Sequence, residues 1–226
     1  MMDYRILGET LPVVEIRLMT GEAMYTQSGG MAWMSEGLTL DSNIKGGLMK
    51  GIGRMFTGES LFMATYTAVR PDCIIAFAST VPGRILPVDM SRTSLICQKG
   101  AFLCAQPTVE VSTVFTKKIS AGFFGGEGFI LQQLKGSGMA FLEVDGDVVE
   151  KTLAPGEVMK VDTGNLFAFE PTVSYEIETI KGVKNMLFGG EGLFLTRLTG
   201  PGKIYMQTMN IAEFTGRIAQ GLPTSN

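Results

Sequence analysis

"LFGGEGLFLTRLTGPGKIYMQ", residues 187 to 207, repeats much of "FFGGEGFILQQLKGSGMAFLE", residues 123 to 143. Each has a Gly-Gly-Glu-Gly run, an apolar stretch, a glycine turn and a second apolar stretch. A more diverged copy, "FTGESLFMATY", starts at Phe56, where its counterparts start at Phe124 and Phe188. The period of about 65 residues is too long for one solenoid turn and suits three small β units around a pseudo-threefold axis. Upstream, "GMAWM" from Gly30, "GAFLC" from Gly100 and "GNLFAF" from Gly164 open the units in the same order. The units span residues 1–80, with a long glycine-rich loop, 81–146 and 147–210, followed by a tail over 211–226.

The local signals are those of β structure. The chain's 29 glycines cluster between short runs rich in Val, Ile, Phe and Thr, the spacing of strands and turns rather than of long helices. "FILQQL" and "MAFLEV" flank "KGSG" as "LFLTRL" and "KIYMQT" flank "TGPG", and each pair is expected to form a hairpin. On the second strand Ala140, Leu142 and Val144 share one face and Met139, Phe141 and Glu143 the other, so both faces are partly apolar. An exposed apolar sheet face invites association, so an oligomer is expected. "EVDGDVVE" predicts a two-residue type I′ turn at Asp145 and Gly146. In "NIAEFTGRIAQGLP", Ile211, Phe214 and Ile218 share a helical face, Asn210 caps it, Glu213 follows three residues later, and Gly221 and Pro223 end it. The class is all-β with one short C-terminal helix.

Composition narrows the chemistry. An apolar content of 45% is ample for a core, and a net charge of −3 disfavours nucleic acid as a partner. Histidine is absent, which removes the usual general base near neutral pH and a common metal ligand. The three cysteines, Cys73, Cys97 and Cys104, form no C-x-x-C pair and spell neither a disulfide framework nor a zinc site. Cys97 has Lys99 nearby in sequence but nothing marks them as a nucleophile pair, and Cys73 in "DCIIAFAS" reads as core. The N-terminus carries Asp3, Arg5, Glu9 and Glu15 and so offers neither a secretory core nor a spanning run. A cytoplasmic protein is expected.

The glycine loops lack the spacing and the lysine of a phosphate loop. Gly125, Gly126, Gly189 and Gly190 read as structural turns that supply backbone freedom. Glu59, Glu127 and Glu191 hold equivalent places in the three copies, so they could ring an axis and hold a hard cation such as calcium or magnesium. "NIKGGLMKGIGRMF" from Asn43 sets Lys45, Lys50 and Arg54 around Ile44, Leu48 and Ile52, an arrangement able to meet an anionic membrane, but its four glycines oppose a helix. A loop linking or packing subunits is the stronger expectation. Trp33, the single tryptophan, is expected to anchor the core, with an interface as the alternative.

"GGEGLFLTRLTGPGKIYMQT", "GGMAWMSEG" and the capped tail helix together resemble an uncharacterised family that includes a mitochondrial biogenesis protein linked to altered inheritance of mitochondria. The resemblance implies a fold like that of the tryptophan-RNA-binding attenuation protein: short double-stranded β-helix or β-sandwich units, three per chain, assembling as a ring-like trimer. The mitochondrial members imply a role in inner-membrane organisation, but the N-terminal residues of this sequence do not read as an Arg-rich presequence, so that location is not expected here. Tryptophan or RNA binding does not carry over, since no motif here matches it.

The expectation is therefore a non-enzymatic homo-oligomeric scaffold or docking protein, a homotrimer or higher, that uses no cofactor and meets protein partners. The alternatives are a small-molecule or cation binder at an interdomain or axial site, and a protein that associates peripherally with membrane through Lys45, Lys50 and Arg54.

Overall fold

The computed structural model describes residues 2–27, 30–41, 63–117, 129–179 and 194–221. After an initial strand β1 (Asp3–Leu7), a first set of six contains β2 (Val13–Leu18), β3 (Ala23–Gln27), β4 (Met31–Met34), β5 (Leu38–Asp41), β6 (Met63–Ala68) and β7 (Cys73–Ala78). The second comprises β8 (Gly83–Asp89), β9 (Leu95–Gln98), β10 (Phe102–Ala105), β11 (Val109–Lys117), β12 (Phe129–Gly136) and β13 (Met139–Asp145). The third comprises β14 (Val148–Leu153), β15 (Val158–Asp162), β16 (Leu166–Phe169), β17 (Ser174–Thr179), β18 (Phe194–Thr199) and β19 (Gly202–Gln207), and α1 (Ile211–Gln220) follows. The chain is all-β with one short helix.

One antiparallel rule governs all three sets. The first strand pairs with the sixth and the sixth with the third, as in β2·β7·β4, β8·β13·β10 and β14·β19·β16. The second pairs with the fifth and the fifth with the fourth, as in β3·β6·β5, β9·β12·β11 and β15·β18·β17. Every third strand carries a bulge at the same step, between Met31 and Trp33, Phe102 and Cys104, and Leu166 and Ala168. The sequence repeat is thus a repeat of topology.

This rule corrects the expected hairpins. β12 is flanked by β9 and β11, and β13 by β8 and β10, so each is the middle strand of its trio and neither has an edge free for the other. The "KGSG" turn therefore carries the chain from one sheet to another. Gly136 (φ 123°) and Gly138 (φ 119°) make that passage, and a Cβ on Gly136 would stand 2.3 Å from the Thr108 carbonyl oxygen. Only glycine allows so close an approach. "TGPG" joins β18 to β19, which likewise lie in different sheets. At the expected type I′ turn Gly146 has a positive φ but Asp145 does not, and β13 and β14 belong to different sheets.

The core forms three clusters, each drawing on more than one repeat. The first gathers Val14, Ile16, Ile75 and Phe77 around Leu103, Cys104 and Phe141. The middle one joins Tyr25 to Leu95, Leu134, Leu142, Phe167 and Ala168. The last sets Phe129 and Leu131 against Leu166, Phe169, Leu198 and Ile204. On β13, Ala140, Leu142 and Val144 enter the middle cluster and Phe141 the first, so both faces of that strand are covered, as its alternation predicts. In the tail, Asn210 Oδ1 accepts the Glu213 N–H at 3.3 Å and caps α1, while the Gly221 N–H donates to the Ile218 carbonyl at its end. Among the described residues no helix is long and apolar enough to cross a membrane.

Candidate functional site

The repeats are joined by adding one sheet edge to another. β3 pairs with β10, Thr26 opposite Cys104 and Tyr25 opposite Ala105. β9 pairs with β16 in the same register, Cys97 opposite Ala168 and Ile96 opposite Phe169. The resulting six-stranded sheets run β5-β6-β3-β10-β13-β8 and β11-β12-β9-β16-β19-β14. Side chains fasten both joints. Thr26 Oγ1 donates to the Leu103 carbonyl at 2.6 Å and Tyr25 Oη to the Val109 carbonyl at 2.8 Å. Gln98 Nε2 donates to the Thr163 carbonyl at 2.9 Å and also to that of Leu166.

Among the described residues, the same pattern leaves unpaired two edges of the kind that form these joints. β4 closes a four-stranded sheet, β1-β2-β7-β4, and β15 closes a three-stranded one, β15-β18-β17. They are the counterparts of β10 and β16, and of β3 and β9. All four residues of β10 and of β16 are buried, whereas on β4 Trp33 is 47% exposed and Met34 43%. The expectation that Trp33 is a core residue is therefore corrected. Among the described residues its strand has no outer neighbour of the kind that covers β10 and β16, and its indole N–H is satisfied by Glu15 Oε2 at 3.3 Å.

Where the repeats meet, a cavity of about 400 Å³ opens, with Gln27, Lys99, Phe129, Glu143, Asp145 and Gln207 among its walls. Glu143 and Asp145 stand two apart on β13 and so share a face. Glu143 accepts from the Thr80 N–H at 2.9 Å and from the hydroxyls of Ser79 and Thr80, each at 3.1 Å. Gln207 bridges to the third repeat: its Nε2 donates to the Gly164 carbonyl at 2.9 Å and to Asp145 Oδ2 at 3.4 Å. Burial, reinforced by the Glu143 charge, pushes the Asp145 carboxyl up to about 6, against the opposing effect of a backbone bond from Ile211. Sequence reasoning treated Asp145 only as a turn residue; the pair Glu143 and Asp145 at the end of an otherwise apolar strand was the available signal.

The glutamates Glu59, Glu127 and Glu191, the turn glycines Gly125, Gly126, Gly189 and Gly190, and the cations Lys45, Lys50 and Arg54 all lie outside the described residues. Among the described residues no three His, Cys, Asp or Glu side chains are grouped to hold a metal. The cysteines are all buried and free. Burial pushes the Cys97 thiol up to about 12 and raises that of Cys104, the opposite of what a nucleophile needs. Cys73, 1% exposed, is the core residue its sequence context predicts.

Comparison with known proteins agrees with this architecture. The family model described as Mitochondrial biogenesis AIM24 matches residues 4–209. An uncharacterized protein of Streptococcus pyogenes serotype M6 is 31% identical over 223 residues, covering 95% of this chain and 88% of its own length. The crystal structure of a Streptococcus pyogenes protein, solved in a structural genomics programme, superposes with a TM-score of 0.77 at 28% identity over 98% of this chain and all of the other.

Proposed function

We propose that this chain, a member of the mitochondrial biogenesis AIM24 family, is a non-enzymatic homo-oligomeric scaffold that offers a ring-like surface to protein partners. The observation that carries it is the exposure of Trp33 and Met34 on a strand whose two counterparts are wholly buried. Monomeric proteins guard sheet edges with charge, proline or a covering element, and "MAWM" has none of the first two. A cytoplasmic trimer, with three repeats from each copy, is the form we infer. Native mass spectrometry of gently purified protein tests it: a homo-oligomer is expected, and a monomer at micromolar concentration rejects the scaffold.

A second reading, a small-molecule binder, draws on the cavity at the repeat junction. Its two carboxylates and the amides of Gln27 and Gln207 suit a small cationic or hydrogen-bond-donating ligand. A stoichiometric extra mass in the same spectrum would favour this reading, and its loss in Glu143→Gln would place the ligand there.

A further inference from the structure

The two bare edges are complementary in more than exposure. At each internal joint, the residue just after the bulge pairs with the penultimate residue of the other strand: Cys104 with Thr26, and Ala168 with Cys97. The next residue along pairs with the one before it: Ala105 with Tyr25, and Phe169 with Ile96. On β4 the residue after the bulge is Trp33 and the next is Met34. On β15 the penultimate residue is Val161 and the one before it Lys160. The inner edges agree as well, since β15 pairs with β18 as β9 does with β12 and β3 with β6. The chain thus begins with an acceptor edge and ends with a donor edge of one type of joint, and among the described residues it joins neither.

We propose that β15 of one copy adds antiparallel to β4 of a second copy, with Trp33 opposite Val161 and Met34 opposite Lys160. This rests on the homo-oligomeric reading above and names its joint. The occupant is a second copy because the only strands shown to cover such an edge belong to this chain, and because β4 and β15 of one copy end separate sheets. Each copy presents two different patches, so the contact is head-to-tail and leads to a closed ring when its rotation closes. Met34 and Trp33 become covered as Ala105 and Cys104 are, and the aliphatic stem of Lys160 lies over Met34 while its ammonium keeps its bond to Glu178 Oε2 at 2.6 Å. Main-chain hydrogen bonds supply the affinity, as in strand addition generally, and the apolar side chains supply the register.

Disulfide trapping tests the joint. Directly opposed residues in an antiparallel pair have Cα atoms about 4.5–5.5 Å apart, within disulfide reach. Full-length Met34→Cys and Lys160→Cys, both at exposed positions, are purified separately, mixed and oxidised mildly; the native thiols are buried and stay silent. The expected result is a disulfide-linked dimer in the mixture and in neither variant alone, with the linkage mapped to positions 34 and 160. Native mass spectrometry of the unmodified protein runs beside it. An oligomer without the 34–160 linkage overturns the joint and leaves the scaffold standing, whereas a monomer overturns both. A bridge formed only within single chains of the double variant overturns the second copy as occupant. Met34→Glu gives an independent reading, since Met34 is exposed in the single chain and the change spares its fold: association weakens at least about ten-fold when a charge must be buried at the joint. Unchanged association overturns the proposal. Val149→Glu, at an exposed position on β14, is the control expected to leave the oligomer intact.

Discussion

Thr26 Oγ1 reaches out of the first repeat and donates to the carbonyl of Leu103 in the second, 2.6 Å away. Thr26 is 2% exposed and Leu103 3%, so neither group can turn to water if the other is removed. Thr26→Val keeps the shape and deletes the donor. It is expected to lower unfolding free energy by about 1–2 kcal/mol, seen as a lower urea midpoint with an unchanged slope. Thr26→Ser restores most of the loss if the hydrogen bond is responsible.

Asp145 gives the chain a pH dependence of definite sign. Its carboxyl titrates at about 6 when folded, against an ordinary 3.8. Between those values the folded state holds a proton that the unfolded chain has released, so stability falls as pH rises through that window, and the deficit persists above it. Asp145→Asn removes the deficit. With solvent screening of this partly exposed group, the gain at pH 7.5 is about 1 kcal/mol, shrinking towards nothing at pH 4. Thermal melts of both proteins across that range check it, and parallel curves would contradict it.

Gln132 is fully buried on β12, and neither its Oε1 nor its Nε2 has a hydrogen-bond partner among the described residues. A buried amide in that state costs more than an apolar side chain of similar volume. Gln132→Met is therefore expected to raise stability by about 1 kcal/mol, read as a higher calorimetric midpoint, whereas Gln132→Ala leaves a cavity and lowers it. A destabilised methionine variant would mean that the amide is satisfied.

The triplication, the all-β class and the capped tail helix were legible because they rest on local signals: periodic apolar runs, turn glycines, and Asn210 three residues before Glu213. Strand pairing was not. "FILQQL", "KGSG" and "MAFLEV" have the composition of a hairpin, yet the partners of β12 and β13 lie tens of residues away, and only their occupied edges forbid the hairpin. Trp33 was misplaced for a related reason: an apolar edge strand and an apolar central strand look alike until the neighbouring strands are counted. The cavity acids were missed because Asp145-Gly146 also spells a turn, and the burial that makes the aspartate unusual arises only where the repeats meet, around a cavity that Gln27 and Gln207 of the other two repeats also line.

The interleaving of repeats has a consequence for biosynthesis and proteolysis. β3 of the first repeat pairs with β6 on one side but depends on β10 of the second repeat for its other edge, so a nascent chain that has completed β7 still carries a raw strand edge, and a fragment cut between the repeats carries it permanently. Such an edge recruits other strands indiscriminately. The three repeats, though built to one plan, are therefore not modules that can be dissected and studied singly. The first and the second each need the next repeat as a chaperone of the edge that β3 or β9 would otherwise leave open.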